Sequence, residues 1–305
     1  MQRRAARAGA RPPQAEVACF GGLNLDRQGR ALAPVVPGSS NPVAMASGVG
    51  GVAANVARGL AALGRRATLV ARVGTDADLV RPAVAALDHP LLIVDPERRT
   101  ASYTTLIEPD GRLFVGLADM EVHEHWSHAD VDRAIGHAAA ARIWFVDANP
   151  PDFAVARLCT MAGSERLLAA NGVSARKAVR LARPLHRIDV LFANVEEATA
   201  LGLDPAAPRR GADQVTVVTH GAQGLRVAIG DTVSAFPAPP LPGAPVDETG
   251  AGDCLAAGVL AGRLAGLDWP DALVLGQRAA AAALCAAEAV PAAALKALAP
   301  ALQAG

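Results

Sequence analysis

The stretch Asp247-Glu-Thr-Gly-Ala-Gly-Asp253, followed by the apolar run Cys254-Leu-Ala-Ala-Gly-Val-Leu260, is the most informative part of the sequence. Gly250, Ala251 and Gly252 let the backbone turn tightly and expose its N–H groups, and the apolar run predicts a helix that begins there. The positive N-terminal end of a helix binds anions such as phosphate. Asp253 lies beside that anion site, where a carboxylate can accept the proton of an attacking hydroxyl. Taken alone, the segment is also compatible with an ordinary glycine turn and an N-capping aspartate.

Working outward, a second polar segment follows the first predicted strand. Residues 17–20 form a short apolar run, and Gly21-Gly22-Leu23-Asn24-Leu25-Asp26 comes directly after it. Asn24 and Asp26 are two residues apart, so in extended backbone both side chains face one side. An amide and a carboxylate there can hold two vicinal hydroxyls, although a polar turn after a strand has the same composition.

A third segment, Ser47-Gly-Val-Gly50-Gly51-Val-Ala-Ala-Asn55, opens a helical pattern. Gly50 and Gly51 permit a ligand to approach the backbone closely, and Asn55 lies on the first turn of the predicted helix. The spacing matches neither the dinucleotide fingerprint nor the phosphate-binding loop of P-loop enzymes. A glycine-rich helix entry without a ligand remains the alternative.

Two further motifs each follow a predicted strand. Asn194-Val-Glu-Glu197 places an amide and a carboxylate where they can organise Mg²⁺ and phosphate, since Mg²⁺ favours few carboxylates together with water and phosphate oxygens. Thr219-His-Gly-Ala-Gln-Gly224 is predicted to hold a nucleotide. Each motif alone fits a plain loop. Because ligands bind outside the carboxyl ends of the strands in open α/β sheets, the set of five motifs indicates one shared site.

The order of the predicted elements indicates an α/β fold with a central, mostly parallel sheet flanked by helices. Two segments, 23–46 and 100–117, interrupt the alternation of strands and helices, and we expect them to form a small β lid. We therefore predict one domain over 15–305, preceded by a disordered Arg-, Ala- and Pro-rich tail over 1–14. Strands are predicted at 17–20, 67–71, 91–94, 143–146, 190–192 and 215–218, and helices at 130–141, 176–185 and 272–295.

Composition excludes several functional classes. The formal net charge is +0, which argues against nucleic-acid binding, because such proteins usually carry a basic face. The N-terminal segment has no apolar core of a secretory signal, and polar residues interrupt the apolar stretch 272–295, so we expect a cytoplasmic protein without a membrane contact. The run His123, His125 and His128 is interpreted as a solvated loop rather than a metal site.

Together these motifs resemble the ribokinase family, also called the PfkB carbohydrate kinases, over roughly residues 16–295. The resemblance implies a ribokinase-like fold and transfer of the γ-phosphoryl group of ATP to a sugar hydroxyl, with Mg²⁺ as the metal. It implies the following roles: Asp253 is the base; Gly250, Ala251 and Gly252 form the anion hole; Asn24, Asp26, Gly50, Gly51 and Asn55 hold the sugar; Asn194, Glu197, Thr219, Gly221, Gly224 and Thr249 bind the metal-nucleotide, with Glu197 at the metal.

Within the family, Pro37-Gly-Ser-Ser-Asn41-Pro42, Leu117-Ala-Asp-Met120, Asp147-Ala-Asn149-Pro150 and Gly172-Val-Ser-Ala-Arg-Lys177 resemble the pseudouridine kinases. This implies a nucleoside acceptor contacted by Ser40 and Asn41, and a homodimer formed through the lid. Two alternatives stay open: another sugar or nucleoside kinase acting on ribose, adenosine or a ketose sugar, and a non-catalytic nucleoside-binding sensor. The chain departs from the family where Leu79 replaces a usual glycine, Glu248 a usual threonine and His220 a usual apolar residue.

Overall fold

The computed structural model describes residues 15–302. The tail predicted over 1–14 lies outside the described residues. The strands are β1 Val17–Gly21, β2 Asn24–Ala31, β3 Val43–Gly50, β4 Ala67–Val73, β5 Leu91–Val94, β6 Ser102–Ile107, β7 Leu113–Asp119, β8 Ile143–Asp147, β9 Leu167–Asn171, β10 Val190–Asn194, β11 Val215–Thr219, β12 Leu225–Ile229 and β13 Thr232–Phe236. The α-helices are α1 Val52–Ala62, α2 Arg81–Val84, α3 His128–His137, α4 Asp152–Met161, α5 Ala175–Ala178, α6 Val195–Ala200, α7 Ala251–Leu264, α8 Trp269–Leu284 and α9 Ala292–Lys296.

Nine strands form the central sheet in the order β13-β12-β11-β10-β9-β8-β1-β4-β5. The seven strands from β11 to β5 pair in parallel, and β12 and β13 add an antiparallel edge. All five residues of β1 and of β8 are buried, as expected for central strands covered on both faces. The predicted fold class, a mostly parallel sheet flanked by helices, is confirmed.

Two apolar cores lie on the two faces of this sheet. On one face, the helices α1, α7 and α8 pack against the strands, and Leu60 of α1, Leu260 of α7 and Leu69 of β4 belong to this core. On the other, α3 and α4 pack around Trp144, Leu158 and Phe20. The helices α7 and α8 cross in direct contact at Gly258 and Gly276. A Cβ at either position would clash with the other helix, so the contact requires glycine at both. This close packing fixes α7, whose first turn carries Asp253.

A second sheet of four strands, in the order β3-β2-β6-β7, is built from the two segments that interrupt the α/β alternation. Strand β2 pairs antiparallel with β3 and parallel with β6, and β6 forms a hairpin with β7. Every residue of β7 is exposed, so at least this part of the sheet has no cover within the described chain. We call this four-stranded sheet the lid.

Several sequence predictions were wrong in detail. The helix expected over 130–141 is α3 and ends at His137. The helix expected over 176–185 is only the short α5 followed by two 3₁₀ turns, and Pro184 stands immediately before the second turn. The apolar stretch 272–295 divides into α8 and α9, because Pro291 stands at the start of the second helix. Among residues 15–302, no helix combines the length and the apolar character needed to cross a membrane.

The prediction that His123 lies in a solvated loop was also wrong. His123 lies in a 3₁₀ turn that packs against β4, and its ring is buried, with 1% of the residue exposed. Burial, together with the nearby cations Lys177 and Arg180, lowers the pKa of His123 to about 3. The ring therefore stays neutral at physiological pH. No group of three metal-ligating side chains occurs within the part of the chain that the structure describes.

Candidate active site

The site begins at the N-terminus of α7. Gly250 has a left-handed backbone (φ 80°), and a Cβ there would clash with the carbonyl oxygen of Ala289. This is why the turn requires glycine. Asp247 Oδ1 accepts the Thr249 N–H at 2.8 Å and closes the loop that leads into the turn. A Cβ at Gly252 would meet nothing within 4 Å, so the space beside this residue is open. The first-turn N–H groups have no partner within a helix and are oriented to bind an anion.

Asp253 is buried, with 9% of the residue exposed, and its carboxylate contacts the helix α1. Asn55 Nδ2 donates a hydrogen bond to Asp253 Oδ2 at 2.9 Å. Arg58 orients that amide, because its guanidinium donates to Asn55 Oδ1 at 3.3 Å and to the Val49 carbonyl at 2.9 Å. The structure thus brings two predicted site residues together from motifs almost 200 positions apart.

The electrostatic surroundings of Asp253 favour its protonated form. Burial, with the negative charges of Asp147, Glu197 and Asp26, raises the pKa of Asp253 to about 7, against the opposing effect of the Asn55 hydrogen bond. A carboxylate with a pKa close to physiological pH is well suited to accept a proton in a reaction.

The predicted sugar-binding residues form the side of the site next to the lid. Asn24 Nδ2 donates to Asp26 Oδ1, and Asp26 lies so close to Gly50 that any Cβ at position 50 would clash with its carboxylate. Gly51 has φ 100° and lies against the Gly22 carbonyl. Burial raises the pKa of Asp26 to about 6, while Asn24 and Arg58 act in the opposite direction. A partly desolvated carboxylate beside two side-chain-free backbone positions is a suitable acceptor for hydroxyl groups.

Asn194 and Glu197 cap the helix α6. Asn194 Oδ1 accepts the Glu197 N–H at 2.8 Å, and Glu197 Oε2 accepts the Asn194 N–H at 3.1 Å, which is a reciprocal capping box. Burial raises the pKa of Glu197, so its charge is poorly compensated by the protein. Glu197 has remaining acceptor capacity and its charge influences Asp253, so it can bind a metal-phosphate. The capping box alone would also account for a glutamate at this position.

The Thr219–Gly224 segment forms the turn between β11 and β12. Gly221 has φ 56° and Gly224 has φ 89°, and a Cβ at Gly224 would clash with the Phe236 carbonyl. His220 Nε2 lies 3.1 Å from the Pro205 carbonyl, so the unusual histidine closes the adjoining loop.

Ser40 and Asn41 lie in the connection between β2 and β3. Asn41 accepts the Val36 N–H at 2.8 Å and donates to the carbonyls of Val36 and Ser39. The side chain of Asn41 therefore organises its own loop, and Ser40 is exposed. None of the hydrogen bonds of Asn41 connects this loop to Asp253 or Asp26, so a substrate contact by these two residues stays a prediction.

Sequence reasoning missed one buried carboxylate. Asp147, the last residue of β8, is fully buried and accepts hydrogen bonds from backbone groups of two other segments, Gly22 and Ala53, each at 2.9 Å. Asp147 stands out only within the stretch Asp147-Ala-Asn149-Pro150 that resembles pseudouridine kinases, and as the acidic residue that ends the apolar run 143–146; neither signal gave it a role. A lone aspartate at a strand end is too common to identify such a position.

Comparisons with known proteins define the class and then the family. A family model described as pfkB family carbohydrate kinase matches residues 14–294. The chain therefore belongs to the pfkB family of carbohydrate kinases, which are ribokinase-like phosphotransferases.

Three relatives illustrate the range of similarity. The pseudouridine kinase of Escherichia coli (strain K12) is 24% identical over 283 residues, covering 88% of this chain and 90% of that protein. A carbohydrate kinase from Agrobacterium tumefaciens has a TM-score of 0.77 and 31% identity, covering 94% and 97% of the two chains. The ribokinase of Cryptococcus neoformans var. grubii serotype A, solved with ADP, has a TM-score of 0.75 and 20% identity, covering 93% and 99%.

Proposed function

We propose that this kinase transfers the γ-phosphoryl group of ATP to the 5′-hydroxyl of pseudouridine and forms pseudouridine 5′-phosphate and ADP. The observation that carries the phosphotransferase chemistry is Asp253, a buried carboxylate with a pKa of about 7 beside the N-terminus of α7. Support for the acceptor comes from the pseudouridine kinase of Escherichia coli among the relatives. Support for the nucleotide comes from family membership and from the ribokinase solved with ADP.

In this mechanism Asp253 accepts the proton of the acceptor hydroxyl as the hydroxyl oxygen attacks the γ-phosphorus. The bond from the γ-phosphorus to the β–γ bridging oxygen breaks, and ADP leaves with that oxygen. The N–H groups at the start of α7, Gly252 and Asp253 among them, stabilise the charge on the transferring phosphoryl group. Asn55 keeps the Asp253 carboxylate oriented, and Asn24, Asp26 and the backbone at Gly51 hold the ribose hydroxyls.

Mg²⁺ is compatible with the residues present. Glu197 supplies one buried carboxylate with free acceptor capacity, and Mg²⁺ commonly binds through one carboxylate together with waters and substrate phosphates. Glu197 and Asn194 are the residues that would hold the metal-nucleotide, with Thr219, Gly221, Gly224 and Thr249 on the nucleotide. When bound, the ion would neutralise charge on the phosphate oxygens.

The choice of pseudouridine has a physical basis. This C-nucleoside carries a ring N–H that uridine lacks, and a pocket that pairs this N–H leaves a buried acceptor unpaired when uridine binds. An unpaired buried group costs about 1–3 kcal/mol, which corresponds to roughly ten- to hundredfold discrimination.

The test is phosphoryl transfer from ATP to a panel of acceptors. We expect kcat/KM to be higher for pseudouridine than for uridine, adenosine, ribose or fructose. Equal or better turnover of ribose or adenosine would reject pseudouridine and leave the kinase class intact. Binding of nucleosides without turnover of any acceptor would instead favour a non-catalytic sensor.

We also propose that two copies associate through their lids. Strand β7 is exposed along its whole length, and Leu113 and Leu117 expose 52% and 60% of their surface. Because β7 and β3 are the edges of the four-stranded sheet, they also present unpaired backbone groups to a partner. A second copy of the chain offers the same apolar face, which suits a symmetric contact.

A further inference from the structure

The buried carboxylate of Asp147 lies where three parts of the acceptor site meet. Its Oδ2 accepts the Gly22 N–H at 2.9 Å, the Ala53 N–H at 2.9 Å and Asn149 Nδ2 at 3.0 Å, and its Oδ1 accepts the Asn149 N–H at 2.8 Å. The contacts of the carboxylate with Gly21 and Gly22 are so close that no side chain fits at position 21. We call this group of residues, Asp147, Gly22, Ala53 and Asn149, the Asp147 clamp.

All four partners of Asp147 are N–H donors. Four donors favour the ionised form of a carboxyl group, because a protonated oxygen would point its own hydrogen at one of them. Lys177 Nζ donates to Asn149 Oδ1 at 2.6 Å and adds a positive charge behind the clamp. Burial raises the pKa of Asp147, and the hydrogen bonds oppose that effect. The four N–H donors therefore favour the negative charge of Asp147 and oppose the effect of burial.

The two backbone groups that Asp147 holds belong to different functional segments. Gly22 precedes Asn24 and Asp26, the residues proposed to bind the sugar. Ala53 lies in the first turn of α1, two residues before Asn55, which contacts Asp253. A single side chain at the end of β8 thus fixes the spacing between the sugar-binding segment and the helix that orients the base.

We propose that Asp147 is a positioning residue of the kinase: its carboxylate holds the acceptor segment at Gly22 and the N-terminus of α1 in register, and so aligns the acceptor hydroxyl with Asp253. This inference rests on the proposed roles of Asp26 and Asp253 in phosphoryl transfer. It does not depend on which sugar or nucleoside is the acceptor.

The charge of Asp147 adds a second effect. The charged groups that face Asp253 are Asp147 on β8, Glu197 on α6 and Asp26 on β2, and Asp26 in turn faces Arg58 on α1. All three carboxylates raise the pKa of Asp253, so removal of one negative charge lowers it. Loss of the Asp147 charge is therefore expected to shift the acid limb of the kcat/KM profile to lower pH.

The test compares Asp147→Asn with Asp189→Asn. Asp189 is the matched control, because it is also a desolvated aspartate that accepts a backbone N–H, from Leu168 at 2.7 Å, but it precedes β10 at the amino edge of the sheet. For Asp147→Asn we expect roughly tenfold or greater increase in acceptor KM, a similar decrease in kcat and an unchanged KM for ATP. Asp189→Asn is expected to lower thermal stability and to leave all three constants unchanged.

Asn149→Ala is the second variant. It removes the hydrogen bond from Asn149 Nδ2 to the Asp147 carboxylate and keeps the negative charge of Asp147. It should raise the acceptor KM without moving the acid limb. The proposal is overturned if Asp147→Asn lowers the melting temperature but leaves acceptor KM, kcat and the pH profile as in the wild type. The assay uses the panel acceptor that the wild type turns over fastest. Failure of pseudouridine in that panel would reject the proposed substrate and leave this comparison valid.

Discussion

Among single residues, Asp253 has the strongest case for a chemical role, because burial, a raised pKa and the hydrogen bond from Asn55 coincide there. Asp253→Asn preserves the shape of the side chain and removes the proton acceptor. General-base catalysis typically contributes roughly 10²–10⁴-fold, and we expect kcat to fall by about that factor. Circular dichroism and thermal unfolding check that the variant folds. A kcat near the wild-type value would show that Asp253 is not the base.

The pH dependence of activity follows from the same residue. Asp253 acts as a base only when it is ionised, and its pKa is about 7 because burial and neighbouring carboxylates disfavour the charge. We expect kcat/KM to decrease tenfold per pH unit below about pH 7 and to reach a plateau above it. The measurement is a pH profile with saturating ATP. A profile that stays flat down to pH 5 would contradict the proposed surroundings of Asp253.

A substitution at Asp26 tests the acceptor site independently of the nucleotide site. Asp26 lies on the lid strand β2 with its carboxylate against Gly50 of β3, on different segments from Thr219 and Gly224. A hydrogen bond to a charged group is worth about 1.5–3 kcal/mol, so Asp26→Ala should raise the KM for the acceptor roughly ten- to hundredfold. The KM for ATP should change little. An equal increase in both constants would move the acceptor site elsewhere.

At the scale of elements, the start of α7 depends on Gly250. Gly250→Ala should abolish most activity, because the new Cβ would clash with the Ala289 carbonyl and displace the first turn of the helix. Gly266 follows the other end of α7 with a similar φ of 87°, but a Cβ there meets nothing within 4 Å. Gly266→Ala is the control: it should cost about 1–2 kcal/mol of stability through backbone strain and leave kcat unchanged. Equal kcat values for the two variants would argue against an anion site at this turn.

The sequence predicted the elements with regular, locally encoded patterns. The central strands β1, β4 and β8 are mostly apolar, and α1 begins at the glycine pair and carries its apolar face at helical spacing. The break in the helix expected over 176–185 was not predicted: α5 ends at Ala178, and Lys177 within it donates to Asn149. That contact depends on Asn149, which follows β8 and lies 28 positions away, and local periodicity does not encode such a contact.

The same distinction applies to the site. The motifs at Asn55 and Asp253 were both identified from glycine spacing, and the structure joins them by a hydrogen bond. Asp147 and the burial of His123 were missed, because both depend on packing between distant segments. A buried polar residue looks the same in sequence as a solvated one until the partners that satisfy or enclose it are known.

For the whole molecule, the exposed lid predicts a homodimer. Leu117 on β7 exposes 60% of its surface, and Leu79, outside the lid, exposes 52%. An aspartate in the apolar contact would be buried against the partner and costly, whereas the same change at an isolated surface leucine is nearly neutral. Wild type and Leu79→Asp should therefore sediment as dimers at micromolar concentration, and Leu117→Asp as a folded monomer.

Sedimentation velocity over a range of concentrations measures this directly, and circular dichroism confirms that both variants are folded. If lid contact also orders the acceptor segment, the Leu117→Asp monomer should show a higher acceptor KM with an unchanged KM for ATP, because β2 carries Asp26 within the lid. Wild type that stays monomeric up to high concentration, or Leu117→Asp that remains a dimer, would reject the lid as the interface. In the first case the apolar face of β7 would need a different partner, since an apolar patch of this kind is rarely left open to water.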